Sequence, residues 1–244
     1  MNSILSEAEL KKLSRPIRKE PVIIPRIIHF GPGAFFRSFV AGLINDVNRK
    51  NAEKWGIIAV SLNSEDTFNK LVGQDLVFNA LSKSSEKKET QQVSSISDFF
   101  VAKKDGKSVL DALSDEQIEI VSLTITEKGY YYNLGKNELD MGNQNIIHDL
   151  GNPSNPKTAV GFIVAGLRDR YLNGKSPFTI LTCDNLPNNG TFLKKIVLDF
   201  AKKIDRDLAN WIAKEVCFPS SMVDRITPAT NDQDITNFAK EYGV

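Results

Sequence analysis

The sequence predicts an α/β fold, a doubly wound and mostly parallel sheet with helices on both faces. Three observations predict it. Short apolar runs of strand length alternate with longer segments whose apolar residues recur at helical spacing. The first predicted strand, helix and strand fit within about forty residues, the size of a βαβ unit. Alternation of this kind buries a parallel sheet between two layers of helices.

Composition is that of an ordinary globular protein. The 244 residues are 41% hydrophobic and 25% charged, enough to bury a core without disulfide or metal staples. The net charge of +1 argues against a nucleic-acid partner, and no apolar run is long enough to span a bilayer. Cys183 and Cys217 match no zinc spacing, so we predict no metal site. Two isolated cysteines suit the cytoplasm, the expected location, although one disulfide stays open.

The elements follow in order along the chain. Residues 1–25, which contain three prolines, are predicted to form an N-terminal arm, and residues 26–244 the sheet domain. Strands are predicted at 26–30, 57–62, 118–125, 178–183 and 216–218, and helices at 158–171 and 190–204. The helix after the first strand should bury Phe36, Phe39, Val40, Leu43, Ile44 and Val47 on one face. The polar segment 82–92 is predicted to be a hairpin or an exposed excursion.

A glycine turn joins the first predicted strand to the first predicted helix. Gly31 and Gly33 allow a tight turn and let the backbone approach a pyrophosphate at the helix N-terminus. Phe36 replaces the usual third glycine, and a lone G-x-G fits a plain strand-to-helix turn equally well. The place of the turn within a βαβ unit favours a Rossmann-type dinucleotide-binding domain.

Two acids follow the second predicted strand. Glu65 and Asp66 lie where carboxylates would bind the adenosine ribose and repel a 2′-phosphate, which favours NAD over NADP. The same acids also suit the start of the next helix, with Ser64 as its cap. Both interpretations are compatible, and NAD is the predicted cofactor.

Three polar segments follow predicted strands at the expected carboxyl edge of the sheet. They are residues 124–130, 182–190 and 218–228. Ligands of open α/β sheets bind at this edge, so the three segments together predict a site. Taken singly, Asp184, Asn185 and Asp224 are more typical of turn and cap residues.

These segments resemble the motifs of the mannitol dehydrogenase family, which includes mannitol 2-dehydrogenase and the fructuronate and tagaturonate reductases. In the family's order, the chain carries Gly-x-Gly-x-Phe-x-Arg at 31–37, Thr-x-Thr-Glu-x-Gly-Tyr at 124–130, Cys-Asp-Asn-Leu-Pro at 183–187 and Val-Asp-Arg-Ile-Thr-Pro at 223–228. The resemblance covers residues 26–228. It implies a metal-independent, NAD-dependent dehydrogenase that acts on a polyol or sugar acid.

The resemblance also implies roles for individual residues. Asn185 matches an asparagine that stabilises the alkoxide oxygen, Asp224 a substrate-side aspartate, and Glu127 a glutamate that assists proton movement. Amide donors stabilise negative charge on oxygen, and a carboxylate can orient a lysine or relay its proton. The candidate cofactor-binding residues are Gly31, Gly33, Phe35, Arg37, Glu65, Asp66 and Thr126.

One part of the family's pattern is missing. The family's catalytic lysine lies in a Lys-x-x-x-x-Asn-x-x-His pattern of a second, helical domain, which this sequence does not contain. We therefore expect the chain to bind dinucleotide but to need that C-terminal catalytic domain as a partner to turn over its substrate. The alternative is a stand-alone NAD-binding or redox-sensing module without catalysis. A purely structural α/β domain ranks last, since it leaves the polar strand ends without a purpose.

Other patterns are interpreted as structural. Tyr132 and Lys136 have the Tyr-x-x-x-Lys spacing of short-chain dehydrogenases, but Gly135 between them disfavours the helix that this pair requires. His29 is predicted to be a buried, hydrogen-bonded strand residue. His148 is predicted to lie in a polar loop.

Overall fold

The structure, a computed structural model, describes residues 16, 18–83, 87–133, 135, 138–223 and 226–242. Its strands are β1 (Pro25–Phe30), β2 (Gly56–Ser61), β3 (Phe78–Lys83), β4 (Lys88–Val93), β5 (Ile96–Val101), β6 (Ile120–Leu123), β7 (Tyr132–Asn133), β8 (Glu138–Leu139) and β9 (Thr179–Thr182). The helices are α1 (Ala34–Ser38), α2 (Val40–Lys50), α3 (Asp66–Val72), α4 (Ala102–Ser114), α5 (Gln144–Gly151), α6 (Ala159–Leu172), α7 (Asn189–Ile204), α8 (Arg206–Glu215) and α9 (Asp232–Tyr242).

The central sheet is parallel, with the strand order β5-β2-β1-β6-β9. Counted along the chain, these strands have the order 3-2-1-4-5, which is the Rossmann order through its fifth strand. Alternate residues of β1 enter two separate cores because successive side chains of a strand point to opposite faces. Ile28 and Phe30 pack with α4, α6, α7 and α8, whereas Ile27 packs with α1, α3 and the β3–β4 hairpin. The predicted doubly wound fold is therefore confirmed.

Most predicted elements are present within a few residues of their predicted bounds. β1, β2, β6, β9, α6 and α7 match predicted strands and helices. The described residues of the polar segment, 82–83 and 87–92, belong to or adjoin the antiparallel strands β3 and β4. The structure also contains elements that were not predicted, among them β5, α4, α5 and α8.

The predicted strand at 216–218 is wrong. One backbone hydrogen bond, from the Ile180 N–H to the Cys217 carbonyl at 3.0 Å, joins this segment to β9 without forming a strand. The residues that follow it on the chain lie at the carboxyl edge of the sheet.

The predicted buried face of the helix after β1 is correct only in part: Phe36 is buried, and Val40 and Ile44 pack against the same core. Leu43 and Val47 are exposed, and the helix instead buries Ala41, Asn45 and Asn48. The Asn45 amide donates to the Gln92 carbonyl at 3.1 Å, and the Asn48 amide donates to the Trp55 carbonyl at 2.9 Å. Buried asparagines that bond neighbouring backbone break the apolar periodicity on which the prediction relied.

The histidine predictions have opposite outcomes. His29 is buried and hydrogen-bonded within β1, as predicted. His148 lies in α5 rather than in a loop, with Nδ1 3.0 Å from the Asp149 carboxylate. Tyr132 lies in the short strand β7, not on a helix, and Lys136 lies outside the described residues.

The described part of the N-terminal arm is tied to the sheet. Arg18 donates to the carbonyls of Ser94 and Ile96 at 2.8 Å and 2.6 Å, and the Ile24 carbonyl accepts from the Gly56 N–H at 3.1 Å. Both cysteines are free. Among the described residues, no helix has the length and apolarity to cross a membrane.

Candidate functional site

The strand order places a crevice at the carboxyl ends of β1 and β6. From β1 the chain proceeds to β2 and β5 on one side of the sheet, and β6 and β9 follow on the other side. Ligands of open α/β sheets bind where the order reverses in this way. The glycine turn after β1 and residues 124–126 after β6 therefore face each other across the crevice.

The two glycines of the turn serve different purposes. Gly31 has φ +90°, and a Cβ there would lie 2.1 Å from the backbone oxygen of Thr124. Any side chain at this position would push β1 and β6 apart. At Gly33, a Cβ would approach only the Gly31 oxygen, at 3.9 Å, so the backbone beside α1 is open on its outer side. This opening fits a ligand that approaches the backbone closely, such as a pyrophosphate.

Arg37 and Phe35 support the turn. The Arg37 guanidinium donates to the Pro32 carbonyl at 2.8 Å, and burial lowers its pKa. Phe35 packs against Phe39, with 5.3 Å between ring centroids. The guanidinium also reaches Thr67 of α3 at 3.4 Å, so it links the turn to the helix that follows β2.

The acids after β2 lie at the same edge of the sheet. Ser64 Oγ accepts from the Asp66 N–H at 3.1 Å, but Glu65 occupies the capping position of α3 and its side chain makes no cap bond, so the predicted cap is wrong by one residue. Asp66 is exposed, and the Glu65 carboxylate accepts from Lys104 at 2.6 Å. Lys104, which the sequence did not indicate, lies beside these acids, and Glu65 offsets its charge.

Asp184 fixes the backbone beyond β6. Its carboxylate accepts from the Ile125 and Thr126 N–H groups, both at 3.0 Å, and from the Tyr130 hydroxyl at 2.6 Å. Thr126 has φ +63° and ψ 164°, a backbone conformation that residues other than glycine rarely adopt. Contacts with surrounding residues must therefore hold it. Burial and the Asp184 charge raise the pKa of Tyr130, so its hydroxyl is a permanent donor.

A cleft of ≈ 610 Å³ opens beside this anchor. Two of the three predicted catalytic residues, Asn185 and Glu127, line it, and both are exposed. The remaining lining residues are Thr126, Lys128, Asp184 and Leu186. Asp224, the third predicted catalytic residue, lies outside the described residues. The cleft thus joins an amide donor and a carboxylate at the carboxyl edge of the sheet.

Comparison with known proteins decides the family. A family model described as the mannitol dehydrogenase Rossmann domain matches residues 25–242. The chain belongs to the mannitol dehydrogenase family. The resemblance that the four motifs predict is thereby confirmed.

Individual relatives agree with this assignment. D-mannonate oxidoreductase of Escherichia coli (strain K12) is 37% identical over 236 residues, covering 95% of this chain and 49% of that protein. A substrate-free D-sorbitol dehydrogenase structure has a TM-score of 0.87 and 34% identity, covering 99% of this chain and 51% of that one. The Pseudomonas fluorescens mannitol 2-dehydrogenase, in a ternary complex with NAD and D-mannitol, has a TM-score of 0.85 and 35% identity, covering 97% of this chain and 50% of that one. The chain spans about half the length of these relatives.

In this member of the mannitol dehydrogenase family, Asn189 anchors the segment that carries the Val-Asp-Arg motif. The buried Asn189 amide accepts from the Ser221 N–H and donates to the Ser221 hydroxyl, each at 3.0 Å. Ser221 in turn donates to the Thr182 carbonyl, the last of β9, at 2.6 Å. A Cβ on Gly190 would lie 2.5 Å from the Phe218 oxygen, so glycine permits this close approach.

Thr227, from the same motif, contacts the end of α1. The hydroxyls of Ser38, in α1, and Thr227 lie 2.8 Å apart. The described parts of the segment are thus anchored at Ser221, against the end of β9, and at Thr227, against α1. Asn189 and Ser38 were not predicted as anchors, and the only available signal was the place of Asn189 two residues after the Cys-Asp-Asn-Leu-Pro motif.

Proposed function

We propose that this chain is the NAD-binding domain of an oxidoreductase that interconverts a secondary alcohol of a polyol or aldonate with the matching ketose or keto-acid. The observation that carries the proposal is the open backbone at Gly33, in a turn whose Gly31 packs against Thr124, next to the anchored Thr126, where the strand order reverses. The relatives named as mannitol, sorbitol and mannonate oxidoreductases supply the substrate class.

The residues present fit a dinucleotide. The pyrophosphate would lie at Gly33, against the first N–H groups of α1, which have no partner within the helix. The ribose of the adenosine would meet Glu65 and Asp66, and Thr126 would border the nicotinamide. Bound NAD would supply the carbon that accepts or donates hydride.

On the substrate side, the chain contributes groups that touch the reacting oxygen. The exposed amide of Asn185 can donate a hydrogen bond to a developing alkoxide without taking its proton. The exposed Glu127 carboxylate, in the same cleft, can accept or relay a proton. Asp224 remains a proposed substrate-side residue.

We propose that the lysine base comes from the second domain, as the family resemblance implies. The chain alone should then bind dinucleotide without turning over mannitol, mannonate or altronate. NAD-dependent oxidation of any of these by the pure chain would contradict this proposal. The same assay on the chain mixed with a separately produced catalytic domain of a relative measures what that domain adds.

The cofactor preference rests on charge after β2. The Glu65 and Asp66 carboxylates would accept from the ribose hydroxyls and repel a 2′-phosphate, and Glu65 offsets the cation of Lys104. Replacing both acids, by Glu65→Gln with Asp66→Asn, should weaken the binding of NADH and strengthen the binding of NADPH. Each affinity should change by roughly tenfold, the scale of one charged hydrogen bond.

The experiment is a titration of the purified chain with NADH and with NADPH, followed by nicotinamide fluorescence. A matched control is Asp207→Asn, which neutralises an exposed acid in α8, outside the proposed site. The proposal predicts saturable binding of NADH, weaker binding of NADPH, and a reversal confined to the variant of Glu65 and Asp66. Binding of neither nucleotide would contradict it.

A further inference from the structure

His29 occupies an unusual place for a histidine, buried in the strand directly before the glycine turn. It has no exposed surface, and its neighbours across the sheet are Ala59 on β2 and Ser122 on β6. These small side chains leave room for the imidazole to lie flat on the sheet. The ring of Phe36, in α1, stacks on it with centroids 3.7 Å apart and an interplanar angle of 14°.

Hydrogen bonds determine which nitrogen of this ring carries the proton. Thr124 Oγ1 donates its hydrogen to the Gly31 carbonyl at 2.6 Å, because a carbonyl oxygen can only accept. The same Oγ1 lies 2.9 Å from His29 Nε2 and must therefore accept from Nε2–H. His29 Nδ1 is left as an acceptor for the Ser122 hydroxyl, at 2.8 Å.

The result is a directed chain from the sheet to the turn, running from Ser122 through His29 and Thr124 to Gly31. In this direction the imidazole is neutral, because Nδ1 accepts from the Ser122 hydroxyl; a second ring proton would make that hydroxyl an acceptor and reverse the first bond of the series. Burial accordingly lowers the pKa of His29 to about 3, and no charged side chain contributes to that shift. The Gly31 carbonyl, which also accepts from the Gly33 N–H at 2.7 Å, is thus held from two sides.

The stacked pair also accounts for the departure from the glycine fingerprint. A third glycine normally lets the first helix pack closely on the first strand. Phe36 stands at that position, fully buried, and its ring reaches the strand by lying flat on His29. Two flat rings in contact at 3.7 Å keep α1 close to β1 where a larger or tilted partner would lift it.

We propose that His29 is the positioning residue of the glycine turn, setting the Gly31 carbonyl through Thr124 and the start of α1 through Phe36, and thereby the affinity for the dinucleotide. This inference rests on the proposed NAD-binding function. His29 touches no ligand, since it has no exposed surface. It acts through the backbone that the pyrophosphate would meet.

The first test concerns the ring itself and needs no ligand. Two-dimensional ¹H–¹⁵N correlation of the imidazole nitrogens should show His29 as the neutral Nε2–H tautomer throughout the range from pH 7 to pH 5. A protonated ring at pH 5, or the Nδ1–H tautomer, would overturn the directed series of hydrogen bonds, whatever ligand the protein binds.

The second test measures affinity for NADH in a double-mutant cycle. His29→Phe keeps a flat ring but removes both hydrogen bonds, and Thr124→Val removes the hydroxyl at nearly constant volume. Each should weaken NADH binding by roughly tenfold, as expected when an interaction of hydrogen-bond size is lost from the site. The double variant should bind no more weakly than either single one, because both break the same chain.

A matched control separates positioning from stability alone. Ser95→Ala removes another fully buried hydroxyl, which donates to the Ala41 carbonyl at 2.9 Å before β5 begins. It should lower the melting temperature and leave the affinity for NADH unchanged. If His29→Phe and Thr124→Val behave like this control, the inference is overturned and the proposed function stands. If the wild-type chain itself binds no NADH, the proposed function fails, and the affinity claim with it.

Discussion

Replacing Asp184 by asparagine should loosen the carboxyl edge of the sheet. The carboxylate accepts three hydrogen bonds, from the N–H groups of Ile125 and Thr126 and from the Tyr130 hydroxyl. In Asp184→Asn, one oxygen becomes an NH₂ group, which can only donate. One backbone N–H must then face another donor, and the negative charge that strengthens the other bonds is lost.

The size of the effect follows from these bonds. A hydrogen bond to a charged group contributes about 1.5 to 3 kcal/mol, and an unpaired buried donor costs a similar amount. Thr126 is exposed, so water can satisfy its N–H, whereas the Ile125 N–H is half-buried. We therefore expect Asp184→Asn to lower the free energy of unfolding by about 2 to 3 kcal/mol. Thr126 should also leave its strained conformation, which weakens NADH binding.

Chemical denaturation with urea measures the first effect and NADH titration the second. Asp111→Asn is a matched control because its carboxylate forms only an exposed ion pair with Lys107, on α4. That change should cost less than about 0.5 kcal/mol. Equal unfolding free energies for Asp184→Asn and Asp111→Asn would refute the role given to the anchor.

Three further predictions concern the core and the turn. Burial lowers the pKa of His29 from 6.5 to about 3, so only the unfolded chain gains this proton as the pH falls below 6.5. The free energy of unfolding should therefore drop by about 2 kcal/mol between pH 7 and pH 5. Urea melts at both pH values should show a smaller drop for His29→Phe. Arg170 is buried and donates to four backbone carbonyls. Arg170→Met should therefore lower the free energy of unfolding by about 3 kcal/mol. A similar loss in the exposed Arg168→Met would contradict this expectation. Gly31→Ala should abolish NADH binding because its Cβ would meet backbone at 2.1 Å, while Gly174→Ala, also at positive φ but in open space, should lose only about 1 kcal/mol of stability in the same melts.

Local patterns predicted the parts of the fold that depend on local patterns. The strand, glycine turn and helix at residues 25–50 follow from apolar periodicity and from glycine's freedom to adopt φ +90°. The burial of Asn45 and Asn48 was not predictable in this way, since it depends on carbonyls brought near by the β3–β4 hairpin and the loop before β2. Tertiary hydrogen bonds override apolar spacing at such positions.

The candidate site shows the same division. Motif resemblance placed Asn185 and Glu127 at one edge of the sheet, and the structure brings them to one cleft. Their roles in catalysis stay predictions. The bonds of Asp184, Asn189 and His29 join residues from different strands and helices, so no sequence spacing shows them. The sequence shows which side chains are present, whereas only the fold shows which of them hold the others in place.

A dinucleotide bound at the carboxyl edge should lie between the glycine turn and Thr126. Amide chemical-shift mapping of the ¹⁵N-labelled chain during titration with NADH locates the bound ligand. We expect saturable shifts concentrated at Gly33, Asp66 and Thr126, and none at Gly174 beyond the C-terminus of α6. Shifts centred on Gly174 and its neighbours, or no saturable shifts at all, would contradict it.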